Sequence, residues 1–132
     1  MSSSSKGGGS ASQSWNYYGT LVGAVCLGPV DRLMAVIVDG KAIFEPSGGL
    51  EATGDYTDLT SSIEAQYVTR GGYLRIYWGT ETQVADPALT DHPPYRGVCY
   101  VVAKNFLFGR EKSTAPNIEV VVQRRPRAPS EL

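Results

Sequence analysis

One histidine, two cysteines and a scatter of loop carboxylates are the residues of this 132-residue chain with chemistry to offer. The densest stretch is "HPPYRGVCYVVAKNFLFG", residues 92–109, which holds His92 and Cys99. A Ser-His-Asp or Cys-His mechanism needs an imidazole held by a neighbour and aimed at a nucleophile. His92 stands before two prolines in a polar segment, and the adjacent Asp91 points elsewhere, so "DH" is no orienting pair. Cys99 lies on a Val-rich run, whereas a reactive thiolate needs an electropositive, partly exposed setting. His92 therefore reads as an exposed loop histidine and Cys99 as a small buried hydrophobe.

The acids are harder to dismiss. Asp55, Asp58, Asp86, Asp91, Glu45, Glu81 and Glu111 all fall in loop-like segments, and two of them in a glycosidase-type pair would be the acid-base chemistry on offer. No short motif links them, and no D-x-D-x-D-G loop is present for calcium. "GGG" at 7–9 follows no strand and lacks the G-K-[ST] of a phosphate-binding loop. Tyr73, Tyr77 and Trp78 lie close together and suit either a sugar-binding platform or sheet-face packing. No catalytic constellation, cofactor fingerprint or metal-ligand spacing emerges.

The elements that must position these residues read as β. "YYGTLVGAVCLG" (17–28) is rich in β-branched and aromatic residues and ends at Gly28-Pro29. "DRLMAVIV" and "KAIF" flank Asp39-Gly40, the pair a type I′ turn wants, so 32–44 reads as a hairpin. "EPSGGLEATGDY" (45–56) is a loop by composition. "QYVTRGGYLRIYWG" reads as a second hairpin, with strands near 65–69 and 73–78 turning at Gly71-Gly72. There Tyr73, Arg75 and Tyr77 share one face, and Leu74, Ile76 and Trp78 share the other, the expected core face. "ETQVADPALTDHPP" reads as a polar connector, while 97–106 and 117–124 read as strands. "LTSSIEAQY" (59–67) is the one helix candidate, with Thr60 or Ser61 as N-cap and Glu64 as capping-box partner. The expectation is a mainly β fold: a small antiparallel barrel- or sandwich-like domain of six or seven strands with at most one or two short helices.

Residues 1–14 are a Ser/Gly-rich segment too polar to offset the entropy of ordering and read as a flexible arm. Residues 125–132 read as an extended tail or linker, leaving 15–124 as the domain. The net charge of −1 gives no electrostatic case for nucleic acid or an anionic membrane. Arg124, Arg125 and Arg127 form the only basic cluster, with no aromatic interleaved. Cys26 and Cys99 are neither a disulfide framework nor a zinc spacing, though a single bridge between them stays open. No apolar run reaches a spanning length, and the first residues lack a signal-peptide core. Synthesis in a cytoplasm is the expectation.

Five motifs recur in an order that resembles the central tail hub (tail tip attachment) family of long-tailed bacteriophages, prophages and gene-transfer particles. They are a "C-x-G-P-[IV]" turn (Cys26 to Val30), "DGK" (Asp39 to Lys41) and "[IY]-x-G-T-x-x-Q-x-x-D-P" (Tyr77 to Pro87). A "[AP]-Y-R-G-x-x-Y-[VIL]-V" strand start (Pro94 to Val102) and "P-x-[IL]-x-[FV]-x-V" (Pro116 to Val122) complete the set. The resemblance spans about residues 15–124. It implies a non-enzymatic virion protein at the phage tail tip, made in the host cytoplasm and binding no cofactor. Its partners would be copies of itself, a trimer in the intact particle, and neighbouring tail-tip proteins. The motif residues Gly28, Pro29, Asp39, Gly40, Gly79, Thr80, Asp86, Pro87, Tyr95, Arg96 and Gly97 would be structural, with Arg96 anchoring the start of the strand that follows it. A small carbohydrate-binding β domain using Tyr73, Tyr77 and Trp78 is the alternative, and a cell-wall hydrolase built on two loop acids is a weaker one.

Overall fold

The computed structural model describes residues 16–89, 91–110 and 115–125; the 1–14 arm, Glu111, Arg127 and most of the proposed tail lie outside them. The described residues form eight strands: β1 (Asn16–Leu27), β2 (Arg32–Val38), β3 (Lys41–Phe44), β4 (Leu50–Glu51), β5 (Tyr56–Asp58), β6 (Val68–Trp78), β7 (Val98–Arg110) and β8 (Ile118–Gln123). The fold is mainly β, with two antiparallel four-stranded sheets and no closed barrel. The first sheet runs β1-β7-β6-β5. In the second, β2 is central, flanked by β8 on one side and by β3 and β4 on the other.

The main core lies between the sheets. It is built from Leu33, Val36 and Val38 of β2, Leu74, Ile76 and Trp78 of β6, and Cys99, Val101, Ala103 and Phe106 of β7. The β6 alternation thus falls as its sequence pattern requires, since a pleated strand sends successive side chains to opposite faces. β7 is buried on both faces: Tyr100 and Val102 join Tyr77 and Leu89 in a second cluster on the outer face of the first sheet. Segment 79–97 makes this possible by folding back over that face. The 32–44 hairpin forms as expected, β2 pairing antiparallel with β3, and both turn residues are left-handed, Asp39 at φ 48° and Gly40 at φ 84°.

Three expectations need correction. Residues 65–78 do not form a hairpin. β6 runs straight through Gly71-Gly72 as a bulge against β7, with Val68 opposite Phe106 and Tyr73 opposite Lys104. Gly71 takes φ 80°, Asn105 on the partner strand takes φ 50°, and the Asn105 side chain donates to the Arg70 carbonyl. Two glycines, read locally as a turn, instead absorb extra residues in a long strand. Segment 59–67 is no helix but two single 3₁₀ turns, Thr60–Ser62 and Ala65–Tyr67, with extended backbone at Ile63 and Glu64 between them. Neither turn has a side-chain cap; Asp58 takes the Thr60 N–H, and Thr60 Oγ1 accepts from the Leu74 N–H of β6. Burying Leu59, Ile63 and Tyr67 in the core outweighs the helical period. The strand count exceeds six or seven because β4 lies within the 45–56 stretch read as a loop and β5 begins at its end.

The bulge is open to direct test. A Cβ on Gly72 would lie 2.3 Å from the Lys104 carbonyl oxygen, so Gly72→Ala is expected to cost about 1–3 kcal/mol in urea unfolding. A solvent-exposed hairpin tip would tolerate the same change at almost no cost.

Candidate functional site

Three of the sequence motifs, separated by up to seventy residues in the chain, meet at one end of the first sheet. The Gly28 N–H donates to the Gly97 carbonyl (2.8 Å), the Gly97 N–H to the Thr80 carbonyl (3.1 Å), and the Val30 N–H to the Trp78 carbonyl (3.1 Å). Gly28 and Gly79 touch so closely that a Cβ on either would sit 2.6–2.7 Å from the other's Cα. Glycine is required there by proximity, and at Gly79 (φ 91°) and Gly97 (φ 80°) also by the left-handed backbone.

Gln83 closes this junction. Its side chain is fully buried. Oε1 accepts from the N–H groups of Gly79 (3.1 Å) and Thr80 (3.2 Å), while Nε2 donates to the carbonyls of Tyr95 (2.6 Å), Val98 (3.0 Å) and Pro94 (3.3 Å). One carboxamide thus joins the end of β6 to the start of β7. Arg96 adds a strap from outside, its Nε donating to the Gln83 carbonyl at 3.1 Å. This is the anchoring contact the sequence reading assigns to Arg96.

Asp86 is the second buried polar residue, 1% exposed. Its carboxylate accepts from the hydroxyls of Tyr73 and Tyr77 (2.6 Å), from Arg75 Nη1 (3.3 Å) and from the Ala88 N–H (2.8 Å). The last contact begins the turn at Pro87. Arg75 bridges to Asp58 at 3.3 Å and lies over the Tyr73 ring, 3.9 Å from its centroid. Burial opposes charge on Asp86, but the tyrosine hydroxyls, the Ala88 N–H and Arg75 outweigh it and hold the carboxyl below its ordinary value. Burial, with Asp86 adding to it, pushes the Tyr73 hydroxyl up to about 12 and Tyr77 higher still. Asp55 accepts from the hydroxyls of Thr82 (2.6 Å) and Thr80 (2.7 Å), which lower its pKa.

No family model matches the chain, and no curated protein matches it. What the junction can do is therefore judged on its own groups. Those groups are saturated donors and acceptors holding main chain. Asp58 is also depressed: burial opposes its charge, and Thr60 and Arg75 overcome it. A glycosidase-type acid needs a raised carboxyl, and Asp55, Asp58 and Asp86 all shift the other way. His92 is exposed, its Nδ1 2.7 Å from the Tyr95 hydroxyl. It stands on the Tyr95–Tyr100 side of the first sheet, whereas Cys99 faces the core on the other. The cysteines show no disulfide-framework or zinc spacing in the sequence, yet Cys26 and Cys99 are direct cross-strand neighbours and free thiols. Burial, reinforced by Cys26, pushes Cys99 up to about 12, far from a reactive thiolate. The sugar-platform alternative loses its surface, because Trp78 and Tyr77 are each 1% exposed. Asp39-Gly40 lies away from the junction, where Asp39 pairs with Asn117 ahead of β8.

Gln83 was missed by sequence reasoning, although it is the fixed glutamine of the "Q-x-x-D-P" pattern. Only the spacing of that pattern could have singled it out.

Two sets of variants test the network. Tyr77→Phe removes a donor from the buried carboxylate and should lower unfolding free energy by about 1–3 kcal/mol. Tyr100→Phe should be neutral or stabilising, because the buried Tyr100 hydroxyl has no partner among the described residues. The pH dependence has a definite sign. A carboxyl depressed in the folded state contributes stability above its unfolded value, near 3.8 for Asp86, and loses it as pH falls further. Wild-type protein should weaken as pH drops below about 4. Asp86→Asn should be weaker at neutral pH and show a flatter dependence in that window; equal slopes would remove Asp86 from the account.

Proposed function

We propose that this chain is a non-enzymatic structural segment of a bacteriophage tail tip, of the central hub type. It would be made in the host cytoplasm and carried in the virion, assembling with copies of itself about the tail axis and with neighbouring tail-tip proteins. The observation that carries this reading is the convergence of the motif residues. Gly28, Gly79, Thr80, Gln83, Asp86, Arg96 and Gly97 come from three of the five motifs on which the resemblance to the hub family rests, and each is occupied in fixing a strand end or the connector. A part of a passage for a tape-measure protein and DNA needs rigid β structure and fixed loops, and it needs no nucleophile. The lowered carboxylates and the inward-facing Cys99 fit that requirement better than they fit catalysis.

The experiment is direct localisation. Antibody raised against the chain, with gold-labelled secondary, should mark the tail end of particles whose genome encodes it, in negative-stain electron microscopy. Purified particles that contain no trace of the chain by mass spectrometry would refute the assignment.

A further inference from the structure

The chain holds two cysteines, and the β1–β7 pairing sets them directly opposite one another, Cys26 against Cys99. Directly opposed residues of an antiparallel pair project to the same face, with Cα atoms about 4.5–5.5 Å apart. That separation lies inside the span of about 4.4–6.8 Å that a disulfide bridges without backbone movement. The side chains agree with the backbone. Both pack on the main core, Cys99 fully buried and Cys26 half-buried against it, and Cys26 is a hydrogen-bond partner of the Cys99 thiol.

The pair also sits where the fold is weakly held. Among the described residues, β1 is an edge strand paired with β7 alone. Its register slips three times, the last between Ala24 and Cys26. From Cys26 the pairing runs on through Leu27 and Val98 to the Gly28–Gly97 hydrogen bond at the junction. On its other side Cys99 stands opposite Trp78, the last residue of β6. A covalent link at this point would tie the edge strand to a central strand, one residue from the Val98 carbonyl that Gln83 holds.

We propose that Cys26 and Cys99 are a disulfide site, two thiols that close into one bridge within the chain when the protein meets an oxidising disulfide, fastening β1 to β7. The two sulfurs play different parts. Cys26 is the one that solvent reaches, and it attacks first. It gives up its proton and attacks one sulfur of a small disulfide such as oxidised glutathione, forming a mixed disulfide and releasing one glutathione, which takes up a proton. Cys99 then gives up its proton, attacks Cys26 Sγ and displaces the second glutathione. Two protein thiols are oxidised to one disulfide, and one oxidant disulfide is reduced to two thiols. The second step is the slow one: burial opposes the Cys99 thiolate, and Arg124 favours it only in part. A cytoplasm keeps such a pair reduced, so the bridge belongs to oxidising surroundings. The site rests on strand register and not on the tail-tip reading.

The test uses the intact chain, folded and reduced, incubated with oxidised glutathione in the absence of denaturant. Peptide mapping by mass spectrometry should find Cys26 joined to Cys99 within single chains, and dithiothreitol should remove the link. The bridged form should melt about 10 °C above the reduced form, because the link closes a long loop in the unfolded chain. Cys26→Ser, a small change at a half-buried position, should show no such rise with oxidant. Glutathione held on Cys26 with Cys99 still free, a link between two chains, a bridge that forms only in urea, or a bridged form that melts no higher would each overturn the proposal. Whether the chain is found in phage particles is independent of every one of these results.

Discussion

The carboxamide of Gln83 is hydrogen-bonded at both ends to main chain, and the conformation of nearly twenty residues depends on it. The described residues of segment 79–97 carry no regular structure, yet they lie over the outer face of the first sheet and bury Tyr77 and Tyr100. A loop packed in this way must find partners for its own backbone polar groups, since an unpaired buried donor costs about 1–3 kcal/mol. Gln83 satisfies five such groups at the two ends of the segment. Asp86 pins the middle by gathering two tyrosine hydroxyls, a guanidinium and a backbone amide. With the connector in place, β6 and β7 are covered on both faces and can act as the central strands of the domain.

The arrangement also explains why the polar residues are concentrated where they are. Arg75, Tyr73 and Tyr77 project from the face of β6 that a two-layer sandwich would leave to solvent. The connector turns that face into a third layer, and Asp86 is the counter-charge that makes the burial of Arg75's surroundings tolerable. A buried ion pair of this kind is weak support for stability in itself. Its use here is directional: it fixes which part of the connector sits over which part of the sheet.

Much of this was legible in the sequence. The alternation in "YLRIYW", the Asp39-Gly40 turn and the apolar run of β7 each follow from local rules and fall where those rules put them. What was not legible depended on contacts distant in the chain. Gly71-Gly72 looks like a turn because turns and bulges use the same residue, and only pairing with Lys104 and Asn105 decides between them. The 59–67 segment has a helical spacing of Leu59, Ile63 and Tyr67, but the core wants these three side chains from an extended path. The role of Gln83 was invisible because glutamine is ordinarily a surface residue, and its burial follows from where both flanking strands end. Three of the five motifs meet at one point because β6 pairs with β7.

The account rests on the connector being held as firmly as the strands it joins. Amide hydrogen exchange measures that directly. The Gly79, Thr80 and Gly97 N–H groups should exchange as slowly as those in the central part of β7, because each is bonded within the junction. Exchange of these three amides at the rate of an open loop, with β7 still protected, would contradict it.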